Sequence, residues 1–326
     1  MRYPTLSFGR AAKYRAGFDH WVFDNDSPFV IRHSSFLTFL VIISASYKTD
    51  IPAFYGQWFT NRLRAGYCLM RQPFNHRTIR VSLLPEDIDG FVFWTKNLGP
   101  FFKFLPDIRS INRPFIVQYT INAYPRQLEA SVISPNQSIE HVRRLAVEFG
   151  PRVCVWRYDP ILFSSLTNID FHRRNFARLA DQLRGLTDEV IISYAHYYRK
   201  TQINLRRATP NSEFTWQDPC AQIKRDLTSE LSNIASANGM RLNLCSQPEY
   251  RSANAGEARC IDATRLGVSA EEKGNRPSCR CHACRDIGEY DTCPHGCIYC
   301  YAVNNHQTAK QNYQNHNSEG EFLFSS

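Results

Sequence analysis

The 326-residue chain lacks an apolar run long enough to cross a bilayer: the longest, Phe36 to Ala45, has Thr and Ser inside it, and a spanning helix needs about 20 residues. That run also lies too far from Met1 to be the apolar core of a secretory signal. No membrane partner and a cytoplasmic location are therefore expected. A Walker-type phosphate loop and a strand-linked GxGxxG are absent too, which removes the two commonest nucleotide signatures of open α/β sheets. No basic run reads as a nucleic-acid arm, because pairs such as Arg143-Arg144, Arg173-Arg174 and Arg206-Arg207 are scattered. An even cysteine count is missing as well. Eleven cysteines cannot all pair, and in a reducing compartment closely spaced cysteines are more often metal ligands than disulfides.

What is present is ordinary in bulk. With 43% hydrophobic and 21% charged residues, wholesale disorder and a repetitive fibre are excluded. The excess of 39 basic over 30 acidic residues gives a formal charge of +9. It is read either as solubility charge or as attraction to a nucleic acid or nucleotide substrate.

Three regions are expected: an extension over 1–35, an α/β barrel over 36–245, and a cysteine-rich segment over 246–326 that completes the active site. In the middle region, Val41 to Ser44, Phe91 to Thr95, Phe115 to Ile121, Val153 to Trp156, Val190 to Ser193 and Leu242 to Leu244 read as strands buried on both faces. Helical patterns lie between them. Ser138 to Phe149 carries Ser138 as its expected N-cap and Gly150 as its stop, and Asn168 to Arg184 ends before Gly185. Thr49 or Asp50 before Ile51-Pro52 starts a third. The polar stretch Gln202 to Gln222 reads as a long loop over the barrel mouth.

Alternating strand and helix at this spacing predicts parallel βα units and a partial or complete TIM-type β/α barrel. Its chemistry would sit at the carboxyl ends of the strands. Those ends carry Thr95, Lys96 and Asn97, then Arg157 and Asp159. Each group has a plain reading beside a role in binding cofactor or substrate: a solvated turn for the first, a strand-end ion pair for the second.

The sharpest motif is Cys293-Pro294-His295-Gly296-Cys297-Ile298-Tyr299-Cys300. Thiolates spaced by three and then two residues suit a loop wrapped around three irons of a cubane, the fourth iron staying open. Tyr299 stands where a ring would lie beside a ligand of that iron.

This arrangement resembles the cluster loop of the radical S-adenosylmethionine (SAM) superfamily, and Gly-Cys-Ile-Tyr-Cys-Tyr-Ala resembles its spore photoproduct lyase branch. A wider resemblance starts near Ile42 and takes in Thr49-Asp50-Ile51-Pro52-Ala53-Phe54-Tyr55, Val92 to Asn97, Trp156 to Pro160, Cys260-Ile261-Asp262 and Asp286-Ile287-Gly288. It is to an uncharacterised bacterial family, a domain of unknown function with radical-SAM-like cysteines at its C-terminus. The resemblance implies a 4Fe-4S cluster on Cys293, Cys297 and Cys300, SAM as cofactor, and an electron donor such as flavodoxin or ferredoxin. Hydrogen abstraction from an unidentified substrate would follow. Because the cluster loop comes last in the chain, a circularly permuted barrel is also implied.

Cys245, Cys260, Cys279, Cys281 and Cys284 remain as candidate ligands of an auxiliary iron-sulfur cluster or of zinc. Cys68 and Cys154 read as core residues. Two other functional classes stay open: a zinc-stabilised nucleic-acid-binding protein, with His282 and His295 near the thiols, and an iron-sulfur electron carrier or redox sensor without SAM chemistry.

Overall fold

Eight parallel strands carry the molecule, and their order follows from alternating apolar runs and amphipathic helices. The computed structural model describes residues 40–72, 77–208 and 215–324. The expected extension over 1–35 lies outside the described residues, and Phe39–Ser326 forms a compact unit of its own. The elements in chain order are β1 (Val41–Ala45), α1 (Ile51–Phe54), α2 (Gly56–Ala65), β2 (Tyr67–Arg71), β3 (Thr78–Ser82), β4 (Ile88–Thr95), α3 (Leu105–Ser110), β5 (Phe115–Thr120), α4 (Pro135–Phe149) and β6 (Cys154–Ile161). They continue with α5 (Ile169–Leu183), β7 (Glu189–Tyr194), α6 (Arg199–Ala208), α7 (Ala221–Ala237), β8 (Arg241–Leu244), β9 (Gly256–Glu257), α8 (Ala263–Leu266), β10 (Cys284–Asp286) and α9 (His306–Gln314).

The sheet order is β10-β1-β4-β5-β6-β7-β8-β9, and β2 with β3 makes a separate antiparallel hairpin. All six expected strands are therefore present and parallel. The architecture is α/β with an eight-stranded parallel sheet; among the described residues no ladder joins β9 to β10. No helix among the described residues is long and apolar enough to cross a membrane.

Period-two alternation gives the sheet two interiors. One face, with Phe91, Phe93, Val117, Trp156 and Ile192, packs under the helices in the main core. Trp156 stacks on Phe176 of α5 with ring centroids 4.8 Å apart. The other face, with Ile42, Val92, Ile116, Val155 and Ile191, is covered by Ala258, Ile261, Ala263 and Leu266 from the segment after β8. Cys68 and Cys154 are core residues, their thiols pushed up to about 12 by burial.

Two local expectations need correction. The N-cap of α4 lies four residues before Ser138: Ser134 is the cap, its hydroxyl accepting from Gln137 N while the Gln137 side chain returns to the Ser134 amide. Pro135 at the first helical position fits this capping box, and Ser138 is instead buried on the inner side. The expected loop from Gln202 is helical as far as Ala208, and α7 starts at Ala221. Polar Thr201 and Asn204 share α6's buried face with Leu205, which hides the apolar period that would have announced a helix. Residues 209–214 lie outside the described residues.

Candidate active site

Polar residues at or just beyond several strand ends hold the connections in place. Asp286, ending β10, accepts hydrogen bonds from Ser44 Oγ and Ser46 Oγ, both at 2.8 Å, from Tyr47 N at 3.0 Å and from Gly288 N at 3.0 Å. Lys48 Nζ pairs with it at 3.5 Å. A Cβ on Gly288 would meet Ser46 Oγ at 1.9 Å, so only glycine lets the chain pass β1 this closely. By this stitch the segment carrying Cys293, Cys297 and Cys300 is brought to the carboxyl ends of β1, β4 and β5.

Backbone bonds seat the loop: Ser131 N donates to His295 O at 2.9 Å and Ile298 N to Leu128 O at 3.1 Å. Asp50 caps α1 through Ala53 N at 2.9 Å, as expected of it. The same carboxylate also accepts from Lys96 N at 2.7 Å and faces His295 Nε2 at 2.8 Å. The His295 Nδ1 is buried and finds no hydrogen-bond partner among the described residues.

The three thiols are electrostatic neighbours. Burial raises all of them above the ordinary cysteine value, Asp50 and the other two thiols adding to it at Cys293. Lys96 works against burial at Cys297 and Cys300, and Ala302 N donates to Cys300 Sγ at 3.4 Å. Both favour a thiolate.

Tyr299 points its hydroxyl into a closed network with Glu129 Oε1, Lys96 Nζ at 3.1 Å and Asn122 Nδ2 at 3.1 Å. Lys96 lies 2.8 Å from Glu129. Burial pulls the Lys96 pKa down, but Glu129, with Cys297 and Asp159 adding to it, holds it above its usual value. A cavity of about 140 Å³, lined by Thr120, Asn122, Tyr124, Glu129 and Ser134 among others, adjoins the network.

Arg157 and Asp159 form a buried ion pair on β6. The guanidinium also reaches Gln118 Oε1 at 3.2 Å and Cys260 Sγ at 3.1 Å, while Ser193 Oγ donates to Asp159. Burial would raise the Asp159 carboxyl, but Arg157 overrides it and the net shift is downward.

Beside this pair lie the dispersed thiols. Cys245 and Cys260 sulfurs are 3.5 Å apart. Cys281 contacts Cys260 on one side and Cys279 on the other, so four thiols run in a row. Arg276 Nη2 donates to Cys245 Sγ at 3.1 Å. The hydrogen bond from Cys281 lowers the Cys279 thiol to about 6. Cys284 stands apart on β10, raised to about 12 by burial and then by Asp286. Among the described residues, no three His, Cys, Asp or Glu side chains converge as the ligands of one metal ion do.

The chain matches over residues 42–302 the family described as "Domain of unknown function (DUF1848)". It belongs to that family. No curated protein matches the DUF1848 chain. Among solved structures it is similar to one described as "Crystal structure of D-hydantoinase", at 12% identity and a TM-score of 0.30. That overlap covers 64% of this chain and 42% of the other.

Of the residues expected at the DUF1848 site, Lys96 and Tyr299 meet directly, and Arg157 with Asp159 joins the loop side to the dispersed thiols. Thr95 and Asn97 do not enter the network: the Thr95 hydroxyl accepts from Asn97 N at 2.9 Å and Asn97 Oδ1 from Gly99 N at 3.1 Å, which is a turn. Of the two histidines near the thiols, His295 is engaged with Asp50, and His282 Nδ1 accepts from Ala263 N at 3.2 Å. Cys220, exposed, precedes α7. Asn122 lies at the carboxyl end of β5, where the chemistry is expected, whereas Glu129 and Arg276 escaped sequence reading, since both sit in irregular segments with no periodicity.

Proposed function

We propose that this DUF1848 chain is a radical-SAM-type enzyme, built as a barrel-like, circularly permuted α/β unit whose cluster loop closes the strand-end face. The observation that supports the reading is the seating of the Cys293–Cys300 loop at the carboxyl ends of β1, β4 and β5, where parallel α/β folds place their chemistry. The donor set fits an iron-sulfur cluster. Three thiols, Cys297 buried and Cys293 and Cys300 half-buried, share one loop, a backbone amide points at one sulfur, and the Lys96 ammonium favours the charged form of two of them. A cubane takes each thiolate on a different iron, so the three need not converge on one point.

A 4Fe-4S cluster on Cys293, Cys297 and Cys300 together with SAM would supply one-electron cleavage of the sulfonium C5'–S bond, with methionine leaving and the 5'-deoxyadenosyl fragment abstracting hydrogen. The chain's own residues do the rest. Cys293, Cys297 and Cys300 hold the cluster. Asp50 fixes the loop through His295. Glu129 keeps Lys96 charged beside Cys297, and the Tyr299 hydroxyl, anchored by Glu129 and Asn122, cannot swing its ring away from the thiols. Burial of this set excludes water from a reactive radical. Cys245, Cys260, Cys279 and Cys281, flanked by Arg157 and Arg276, are the set for an auxiliary centre.

Anaerobic reconstitution with iron and sulfide, then SAM and dithionite, tests it. Wild type should release 5'-deoxyadenosine, and Cys297→Ala should lower the yield at least 100-fold. Iron- and sulfide-loaded wild type that makes none, or protein holding stoichiometric zinc without sulfide, overturns the assignment.

A further inference from the structure

The strand-end surface carries more than the thiol loop. Trp94 on β4 meets Tyr47 edge-on with centroids 6.2 Å apart, and the Tyr301 hydroxyl donates to Tyr47 O at 2.5 Å. Tyr301, immediately after Cys300, lies 6.4 Å from Tyr198, and Tyr198 lies 5.4 Å from His196. Tyr198 and Tyr301 are 45% and 43% exposed. Five aromatic side chains, from three connections and the end of β4, are thus linked in a row whose most open members, Tyr198 and Tyr301, lie side by side, which core packing does not require.

Helix α6 starts beside that row, at the residue after Tyr198. Its sequence RKTQINLRRA holds Arg199, Lys200, Arg206 and Arg207 and no acidic residue. None of the four makes an ion pair among the described residues, where arginines elsewhere, such as Arg173 and Arg265, do. Lys200 Nζ instead lies 5.0 Å from the Tyr290 ring centroid. The helix is packed on the loop's exit by Asn204 Nδ2 on Val303 O at 2.8 Å and Arg207 Nη1 on Asn304 O at 3.3 Å. The pair Arg206-Arg207, isolated in sequence, is therefore half of a basic stripe next to open aromatic rings.

We infer that the Trp94–His196 ring row and helix α6 together bind single-stranded nucleic acid. Bases have a flat π-face that stacks on tyrosine, and a strand's phosphates recur along the backbone as the cations do along α6. An acidic peptide would have no use for the rings, and an apolar ligand none for the unpaired cations. A duplex hides its base faces. That the strand is also the substrate rests on the enzymatic reading above, but binding stands apart from it and needs no metal, SAM or reductant.

The test is fluorescence anisotropy of a labelled 12-nucleotide oligo(dT) with the full chain at several salt concentrations. Four phosphate contacts predict a log–log salt slope of about −3. Y198A with Y301A should weaken binding about tenfold or more with the slope unchanged. K200E with R206E should weaken it and flatten the slope by about 1.4. The charge-matched control R143E with R144E, on α4, should leave both unchanged, with circular dichroism reporting that each variant is folded. No binding by wild type, equal loss in the control, equal affinity for a duplex of the same length, or full competition by equimolar thymidine monophosphate would each overturn the inference.

Discussion

Strand β6 shows in six residues how differently the two sides of the sheet are made. Cys154, Trp156 and Tyr158 face the helices, where Trp156 stacks on Phe176 and the Tyr158 hydroxyl meets His172 Nδ1 at 2.9 Å. Val155, Arg157 and Asp159 face the other way, and only Val155 is apolar. Around β6 the helix side buries its polar groups neutral and hydrogen-bonded, as Tyr158 and His172 are. The opposite side buries charge, matched by Asp159 against Arg157, by Glu129 against Lys96 and by sulfur against Arg276. Apolar burial is forgiving of detail, whereas buried charge holds only while each partner is present. The side that carries the thiols is accordingly the side where single substitutions should be felt most.

Arg157→Leu probes this first. It strands the Asp159 carboxylate in a buried site and should cost about 3–5 kcal/mol in denaturant unfolding. Adding Asp159→Asn should restore part of that, and a loss no larger than for a conservative change at Trp156 would erase the contrast between the sides.

The helix side makes its own prediction through His172. Burial lowers its pKa to about 4, so the folded protein holds it neutral while an unfolded chain protonates it below about 6.5. Stability from this group is complete above pH 6.5 and falls as pH drops toward 4, by about 3 kcal/mol in all. Thermal melts across that window should show the fall, and His172→Gln should flatten it. The smallest effect belongs to the surface: Ser134→Ala removes the cap of α4 and should cost about 1 kcal/mol by chemical denaturation without altering metal content.

Legibility in the sequence divides along the same line. Runs such as Phe115 to Ile121 announced strands because both faces are buried, and Asn168 announced α5 because a cap and a 3.6-residue period coincide there. The helix beginning at Arg199 escaped because two of its three buried positions are polar, Thr201 and Asn204, tied to Tyr299 O and Val303 O, and only Leu205 is apolar. On the charged side, local spacing revealed the loop of Cys293, Cys297 and Cys300, since those residues sit within eight positions of one another. Glu129 and Arg276 became visible only in three dimensions, because what selects them is a partner more than thirty positions away in the chain.

The stitch at Asp286 also has a bearing on synthesis. Strand β1 leaves the ribosome before every other described element, yet its partner β10 arrives only at Cys284–Asp286. Until then one edge of β1 carries unpaired amides and carbonyls, and Ser44, Ser46 and Lys48 await their carboxylate. A chain stalled near residue 280 would hold the helix-covered side in place beside a sticky, unfinished seam. Timing at the exit tunnel, and protection of that seam by chaperones, should therefore govern yield more than the folding of any single helix.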